Sequence, residues 1–231
     1  MWSGCAMRFE LSWRANRRLD SVMRNQSELK HALIDSLRSI WEDDGFALHD
    51  NERSNRLRAE ILRRLIGLVM TDDERAADLG LPEGCRVREM AKIIAPEKLQ
   101  CGKYVWIGEN AIIDASGGLS IGDHTTVASS VFVWSHSSSL SNLMFENQSG
   151  NAYIRRAPTH IGSGTFIGGP SVVYPGVSIG DRVLVLPMSV VTHDIPDNVI
   201  VAGAPARVIR EIDERWLSEE VSRLRQGCAW R

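Results

Sequence analysis

From residue 161 the chain keeps a beat of six. Ile161, Ile167, Val173, Ile179, Val185 and Val191 are aliphatic, and the positions four later hold Thr165, Ser171, Val177, Val183, Ser189 and Ile195. Glycine follows the aliphatic residue at Gly162, Gly168 and Gly180. The same beat runs earlier through Ile107-Gly108, Ile113-Asp114, Ile121-Gly122, Val127-Ala128 and Val133-Trp134. A helix repeats at three and four and a lone strand at two, whereas a period of six predicts a parallel β-helix. Each hexad supplies one short strand and one turn, so three hexads close a coil of triangular section. The aliphatic residue points inward and stacks on its equivalents in neighbouring coils. The small residue four later fits the corner, and Gly, Asp or Asn tolerates the turn.

The rest of the chain has a different texture. Leu29, Leu33, Leu37 and Trp41 recur every four residues until Gly45, and Leu57, Ile61, Leu65 and Val69 share a face opposite Arg56, Arg63 and Arg64. Both patterns predict helices, the second capped by Asp50 or Asn51. A connector with Leu79-Gly80-Leu81-Pro82 leads to the repeats. Near the end, Ile212, Trp216, Leu217, Val221 and Leu224 predict a helix over 210–226 that covers the open end or lies along a wall of the solenoid. The domains are therefore a helical extension and connector over 1–102, the β-helix over 103–209 with an aperiodic insertion at 137–160, and a C-terminal helix and tail over 210–231.

Composition narrows the class. The 231 residues are 43% hydrophobic, too apolar for a disordered chain. With 27 Lys+Arg against 29 Asp+Glu there is no basic surface of the kind that displaces counterions from nucleic acid. No stretch approaches the roughly 20 apolar residues of a membrane span. Arg8, Arg14, Arg17 and Arg18 interrupt the start, which lacks the apolar core of a secretory signal. Cys5, Cys85, Cys101 and Cys228 form no C-x-x-C pair and read as reduced thiols of a cytoplasmic protein, with no metal expected.

Two stretches carry a resemblance: Asp194-Ile195-Pro196-Asp197-Asn198-Val199-Ile200-Val201-Ala202-Gly203-Ala204-Pro205-Ala206-Arg207-Val208-Ile209-Arg210, and Ile161-Gly162 through Ile179-Gly180. In these the chain resembles the hexapeptide-repeat acyltransferases over about residues 103–211. The resemblance implies a mainly β fold, a left-handed parallel β-helix, assembled as a homotrimer with active sites between subunits. It also implies acetyl-CoA in the groove between prisms, a catalytic histidine just before a loop that breaks the repeat, and direct attack in a ternary complex with a backbone N–H stabilising the oxyanion. Residues 133–136, Val-Trp-Ser-His, are where the hexads stop.

His136 is thus the expected general base. Free imidazole has a pKa near 6.5 and accepts a proton at neutral pH. Gly169, Thr192, Arg207 and Arg210 match positions lining the coenzyme groove, and His193 stands where many relatives carry Lys. The arginines pair with coenzyme phosphates or are ordinary surface charges. Trp134 either stacks on a sugar ring or is an outward aromatic covered by the loop or a neighbour. Asp114 falls where relatives bind acceptor, and Tyr153 and Arg155 are further loop contacts. The adjacent Arg155 and Arg156 suit an acidic acceptor.

The expected activity is acetyl transfer from acetyl-CoA to a hydroxyl of a sugar or polysaccharide unit. The alternatives are N-acetylation of an amino sugar, often nucleotide-linked, and a non-catalytic β-helix scaffold. A zinc carbonic anhydrase on this fold needs a close pair of histidines, whereas His124, His136, His160 and His193 are 12, 24 and 33 residues apart.

Overall fold

A computed structural model of the protein describes residues 51–146 and 152–227, together with 28, 31–33, 35, 36 and 39. The chain forms two units, residues 1–69 and 70–231.

In the first unit the described residues between 28 and 39 are helical, as their four-residue spacing predicts. Leu29, Leu37, Trp41 and Gly45 lie outside the described residues, as do Asp50, Cys5 and Cys228. Helix α1 spans Glu52–Gly67, and Asn51 caps it, its side chain accepting from Ser54 N–H at 2.9 Å. Leu57, Ile61 and Leu65 are exposed, whereas Ile66 is buried and Leu62 and Val69 half-buried. Two apolar stripes with the same i, i+4 spacing run side by side here. Periodicity alone does not say which one is covered.

The second unit opens with helix α2, Asp72–Asp78, where Glu74 accepts from the Thr71 N–H at 2.7 Å in a capping box. Ala76 is 2% exposed and joins the core, with Leu79 and Leu81 packed against it. Arg75 Nε donates to Val87 O at 2.6 Å, tying the helix to the first coil. This short helix closes one end of the solenoid.

The first coil consists of β1 (Arg86–Val87), β2 (Lys92–Ile94) and β3 (Leu99–Cys101). The β-helix therefore begins inside the stretch read from sequence as connector. The second coil is β4 (Trp106–Ile107), β5 (Ile112–Asp114) and β6 (Leu119–Ile121), and each strand pairs in parallel with its counterpart in the first. The early coils are 20 residues long, Val87 to Ile107 to Val127, against 18 from Ile167 to Val185. The two extra residues fall between Ile113 and Ile121, widening the corner that holds Ser116 and Gly117.

In the third coil β7 (Thr126–Val127) and β8 (Phe132–Val133) are followed by the insertion. There β9 (His136–Ser137), helix α3 (Ser139–Leu143) and β10 (Arg155–Arg156) intervene before β11 (Thr159–Ile161) resumes the third face. The fourth coil is β12 (Phe166–Ile167), β13 (Val172–Val173) and β14 (Ser178–Ile179), and the fifth is β15 (Leu184–Val185), β16 (Val190–Val191) and the bridge at Ile195. Strand β17 (Val199–Ala202) begins a sixth, and β18 (Arg207–Glu211) pairs with it antiparallel, ending the parallel ladder. Helix α4 follows at Glu214–Arg225, capped by Asp213, whose carboxylate accepts from Trp216 N–H at 2.7 Å. It starts later than its apolar spacing predicts, because residues 207–211 are drawn into the sheet. Among the described residues no helix is long and apolar enough to cross a membrane.

The core is the stacked ladder of hexad residues. Ile107, Ile113, Val127, Val133, Ile167, Val173, Val185 and Val191 have no exposed surface. Each such side chain contributes roughly 1.5–3 kcal/mol by leaving water. The residues four later are buried too, and their hydroxyls answer backbone groups: Thr165 Oγ1 donates to Gly180 O at 2.8 Å and accepts from Val183 N–H at 3.1 Å. Cys85 is buried and Cys101 half-buried. Burial, then the neighbouring Cys85 thiol, pushes the Cys101 thiol up to about 12.

Candidate active site

The repeat breaks at the corner after β8, and there the third coil meets the wide corner of the second. Stacking brings together residues 22 apart in sequence: His136 Nδ1 lies 2.7 Å from Asp114 Oδ2 and 3.0 Å from Ser116 Oγ. Asp114 has no exposed surface. Its Oδ2 also accepts from the Ser135 N–H at 2.9 Å and the Ser135 hydroxyl at 3.0 Å, and its Oδ1 from the Ser116 N–H at 3.1 Å. The Gly117 N–H donates to Ser135 Oγ at 2.8 Å, and a Cβ on Gly117 would sit 2.0 Å from Ser135 O, so only glycine allows this approach.

This network decides the charge of Asp114. Burial raises its pKa, but hydrogen bonds from the Ser135 N–H, His136, and the Ser116 hydroxyl and N–H outweigh it and hold the carboxyl at about 2. An ionised carboxylate only accepts, so in the neutral imidazole the proton sits on Nδ1 and is shared with Asp114. Nε2 is left with its lone pair. The arrangement is that of an oriented general base.

His136 is partly exposed and lines a cleft of about 470 Å³. Trp134, Val172, Tyr174 and Pro175 form its wall from the coils, and Ser137, Ser138, Ser139 and Asn142 come from the insertion. Trp134 lies edge-on to His136, with centroids 6.3 Å apart and planes at 86°, and stacks with Phe132 at 6.4 Å. Tyr174 is one coil further, since Val133 and Val173 pair directly.

The sequence-derived residues divide by location. His136 and Trp134 meet in the cleft. Asp114 is at the same corner, but its burial leaves no surface for an acceptor, so the contact expected with substrate is instead one with His136. Arg155 and Arg156 are exposed and pair with Ser137 and His136 respectively, and Tyr153 precedes them, 38% exposed. Thr192 and His193 follow β16 at the same edge as His136 but two coils away, roughly 10 Å at the usual strand spacing. Their side chains meet at 2.8 Å. Gly169 lies at a different corner, where a Cβ would stand 1.7 Å from Ser129 O, and Arg207 and Arg210 are exposed on β18. Neither group lines the cleft. Sequence reasoning missed Ser116, Ser135 and Tyr174; the last is legible in hindsight, one register step from Trp134.

Among the described residues no three His, Cys, Asp or Glu side chains are placed to hold a metal ion. Fold and cleft together define a hexapeptide-repeat protein with a histidine-lined cleft at the break in its repeats. Residues 158–193 match the family described as bacterial transferase hexapeptide (six repeats). The galactoside O-acetyltransferase of Escherichia coli (strain K12) is 35% identical over 136 residues, covering 56% of this chain and 64% of that protein, so the match spans just under two thirds of the relative. In structure the chain is similar to a hexapeptide-repeat acetyltransferase of Vibrio cholerae, with TM-score 0.61, 25% identity, and coverage of 72% of this chain and 96% of the other. A maltose O-acetyltransferase of Clostridium difficile 630 gives TM-score 0.54 and 25% identity, covering 73% and 92%. Over its β-helix the chain is thus similar to hexapeptide-repeat acetyltransferases.

Proposed function

We propose that this protein moves the acetyl group of acetyl-CoA to a hydroxyl of a sugar or polysaccharide unit, with His136 as general base. The observation that carries the reading is the contact between His136 Nδ1 and the buried, ionised Asp114 beside an open cleft. The galactoside and maltose O-acetyltransferases among the similar proteins support a sugar hydroxyl as acceptor. So does the lining, in which Ser137, Ser138, Ser139 and Asn142 offer hydrogen-bonding groups and Trp134 and Tyr174 offer aromatic faces.

In this reading the acceptor hydroxyl gives its proton to His136 Nε2 while its oxygen attacks the thioester carbonyl carbon. The tetrahedral intermediate collapses, the C–S bond breaks, and the imidazolium returns the proton to the departing CoA thiolate. Asp114 stabilises the transient imidazolium and keeps Nε2 free beforehand. A backbone N–H stabilises the oxyanion.

The outward side chains support a homotrimer with its sites between subunits. Trp106, Phe166 and Leu184 on the first face and Ile112, Phe132 and Val172 on the second are apolar, whereas Gln100, Ser120, His160 and Ser178 on the third are polar. Apart from Arg86 and Thr126 on the first and Lys92 on the second, these two faces are apolar and meet at one edge, which suits neighbours on both sides, as in a ring of three. The Thr192–His193 edge and the arginines of β18 would then border the coenzyme groove, with Gly169 at the other edge of the second face. A cytoplasmic location belongs to the same reading.

The test is CoA release from acetyl-CoA across sugars and oligosaccharides, with His136→Ala alongside. Acceptor-dependent release falling on the order of 10²–10⁴ in a folded, coenzyme-binding variant is expected. Unchanged release removes His136 as the base.

A further inference from the structure

The insertion does not simply leave and return. Its second strand, β10, folds back on the strand that carries His136, with Arg156 opposite His136 and Arg155 opposite Ser137. Directly opposed residues of an antiparallel pair point to the same face, with Cβ atoms about 4.5–5.5 Å apart. Ser137 lines the cleft, and Arg155, paired with it, stands at the margin of the cleft rather than in its lining. The backbone continues this docking, Ala157 N–H donating to Ser135 O at 2.9 Å and Thr159 N–H to Gly118 O at 3.1 Å.

The charge balance there is one-sided. Segment 137–160 carries Arg155 and Arg156 against the single acid Glu146, in a chain whose net charge is −2. Apart from the imidazole, the residues lining the cleft are neutral. Among the described residues Arg155 forms no ion pair with a carboxylate, and it is exposed. An anion held by Arg155 would bring a neighbouring hydroxyl to the cleft.

We propose that the acceptor is an anionic saccharide whose carboxylate or phosphate is held by Arg155, with a neighbouring hydroxyl facing His136. The reaction it undergoes rests on the acetyl-transfer reading; the binding does not. A guanidinium matches either anion in a two-point contact, so carboxylate and phosphate sugars share the chemistry.

The experiment measures binding and turnover separately on the full chain. Binding is followed by calorimetry with glucuronic acid and N-acetylneuraminic acid as carboxylate probes, glucose 1-phosphate and UDP-galactose as phosphate probes, and glucose and galactose as neutral ones. At least one anionic class binds roughly tenfold or more tightly than its neutral parent, and added salt weakens it. Whichever class does so names the anion. Arg155→Ala abolishes the preference and Arg155→Lys, which keeps the charge, retains part of it. Equal binding of anionic and neutral sugars, or a preference that survives Arg155→Ala in a folded variant, overturns the proposal. CoA release is then read with the same sugars. Release with neutral sugars and no Arg155-dependent preference leaves acetyl transfer standing and the anion site disproved. Arg155-dependent binding without any release does the reverse.

Discussion

The carboxylate of Asp114, with no exposed surface, lies 2.7 Å from Nδ1 of the partly exposed His136. The pair spans two successive coils. One residue ends a strand of the second coil, the other begins the excursion from the third, and the extra length of the corner around Ser116 completes the contact.

Replacing Asp114 by Asn tests this relationship directly. The amide can offer an N–H to Nδ1, which moves the ring proton to Nε2 and blocks the base. We expect kcat to fall on the order of 10² or more, with little change in KM because the side chain has no surface for substrate. In a His136→Ala background the same change adds almost nothing, since the two act as a unit. Steady-state kinetics of the double-mutant cycle checks this.

The same carboxylate shapes acid stability. Its pKa is lowered from 3.8 to about 2 in the folded protein, so its contribution is fully present above pH 4 and is lost as the pH falls through 2. The shift corresponds to about 2 kcal/mol. Urea midpoints measured between pH 5 and 2 should fall more steeply for the wild type than for Asp114→Asn. Parallel curves would remove Asp114 as the source.

Gly169 matches a coenzyme-groove position, but its surroundings already demand glycine. A Cβ there would stand 1.7 Å from the Ser129 carbonyl oxygen, a backbone atom with little room to move. Gly169→Ala should cost about 2–3 kcal/mol. At Gly164, with φ +63° and nothing nearer than Arg182 Cγ at 3.7 Å, alanine should cost only about 1 kcal/mol of backbone strain. Denaturant midpoints of the two variants compare them.

The inner ladder offers two contrasting substitutions. Ile167→Ala opens a cavity in a position with no exposed surface and should cost about 2–5 kcal/mol. Thr165→Val keeps the shape but leaves the Val183 N–H without its hydroxyl acceptor, at a cost of about 1–3 kcal/mol. Chemical denaturation measures both, and a neutral Thr165→Val would mean that the hydroxyl ladder adds nothing.

Much of the fold was legible because the hexad period is local. Every position from Ile161 to Ile195 that the spacing assigns to the interior is buried. The same rule missed the first coil, where a cysteine, Cys101, takes an aliphatic place and Arg88 and Ile94 stand where glycine often follows, and it placed the start of the C-terminal helix too early, since Arg207–Glu211 pairs with β17. In helix α1 the spacing could not choose between adjacent apolar stripes, and Ile66 rather than Leu65 is buried.

At the site the division follows from the same physics. That the repeat stops at His136 is a property of the chain itself, because a missing hexad residue leaves no inward side chain to stack. Which carboxylate orients His136, and that Arg155 stands across from Ser137, depends on how coils of unequal length stack and how the insertion folds back. Such contacts join residues far apart in sequence through backbone hydrogen bonds that any side chains would permit. Composition and spacing therefore determine the solenoid and the place where it is interrupted, and only the stacked structure decides which side chains meet there.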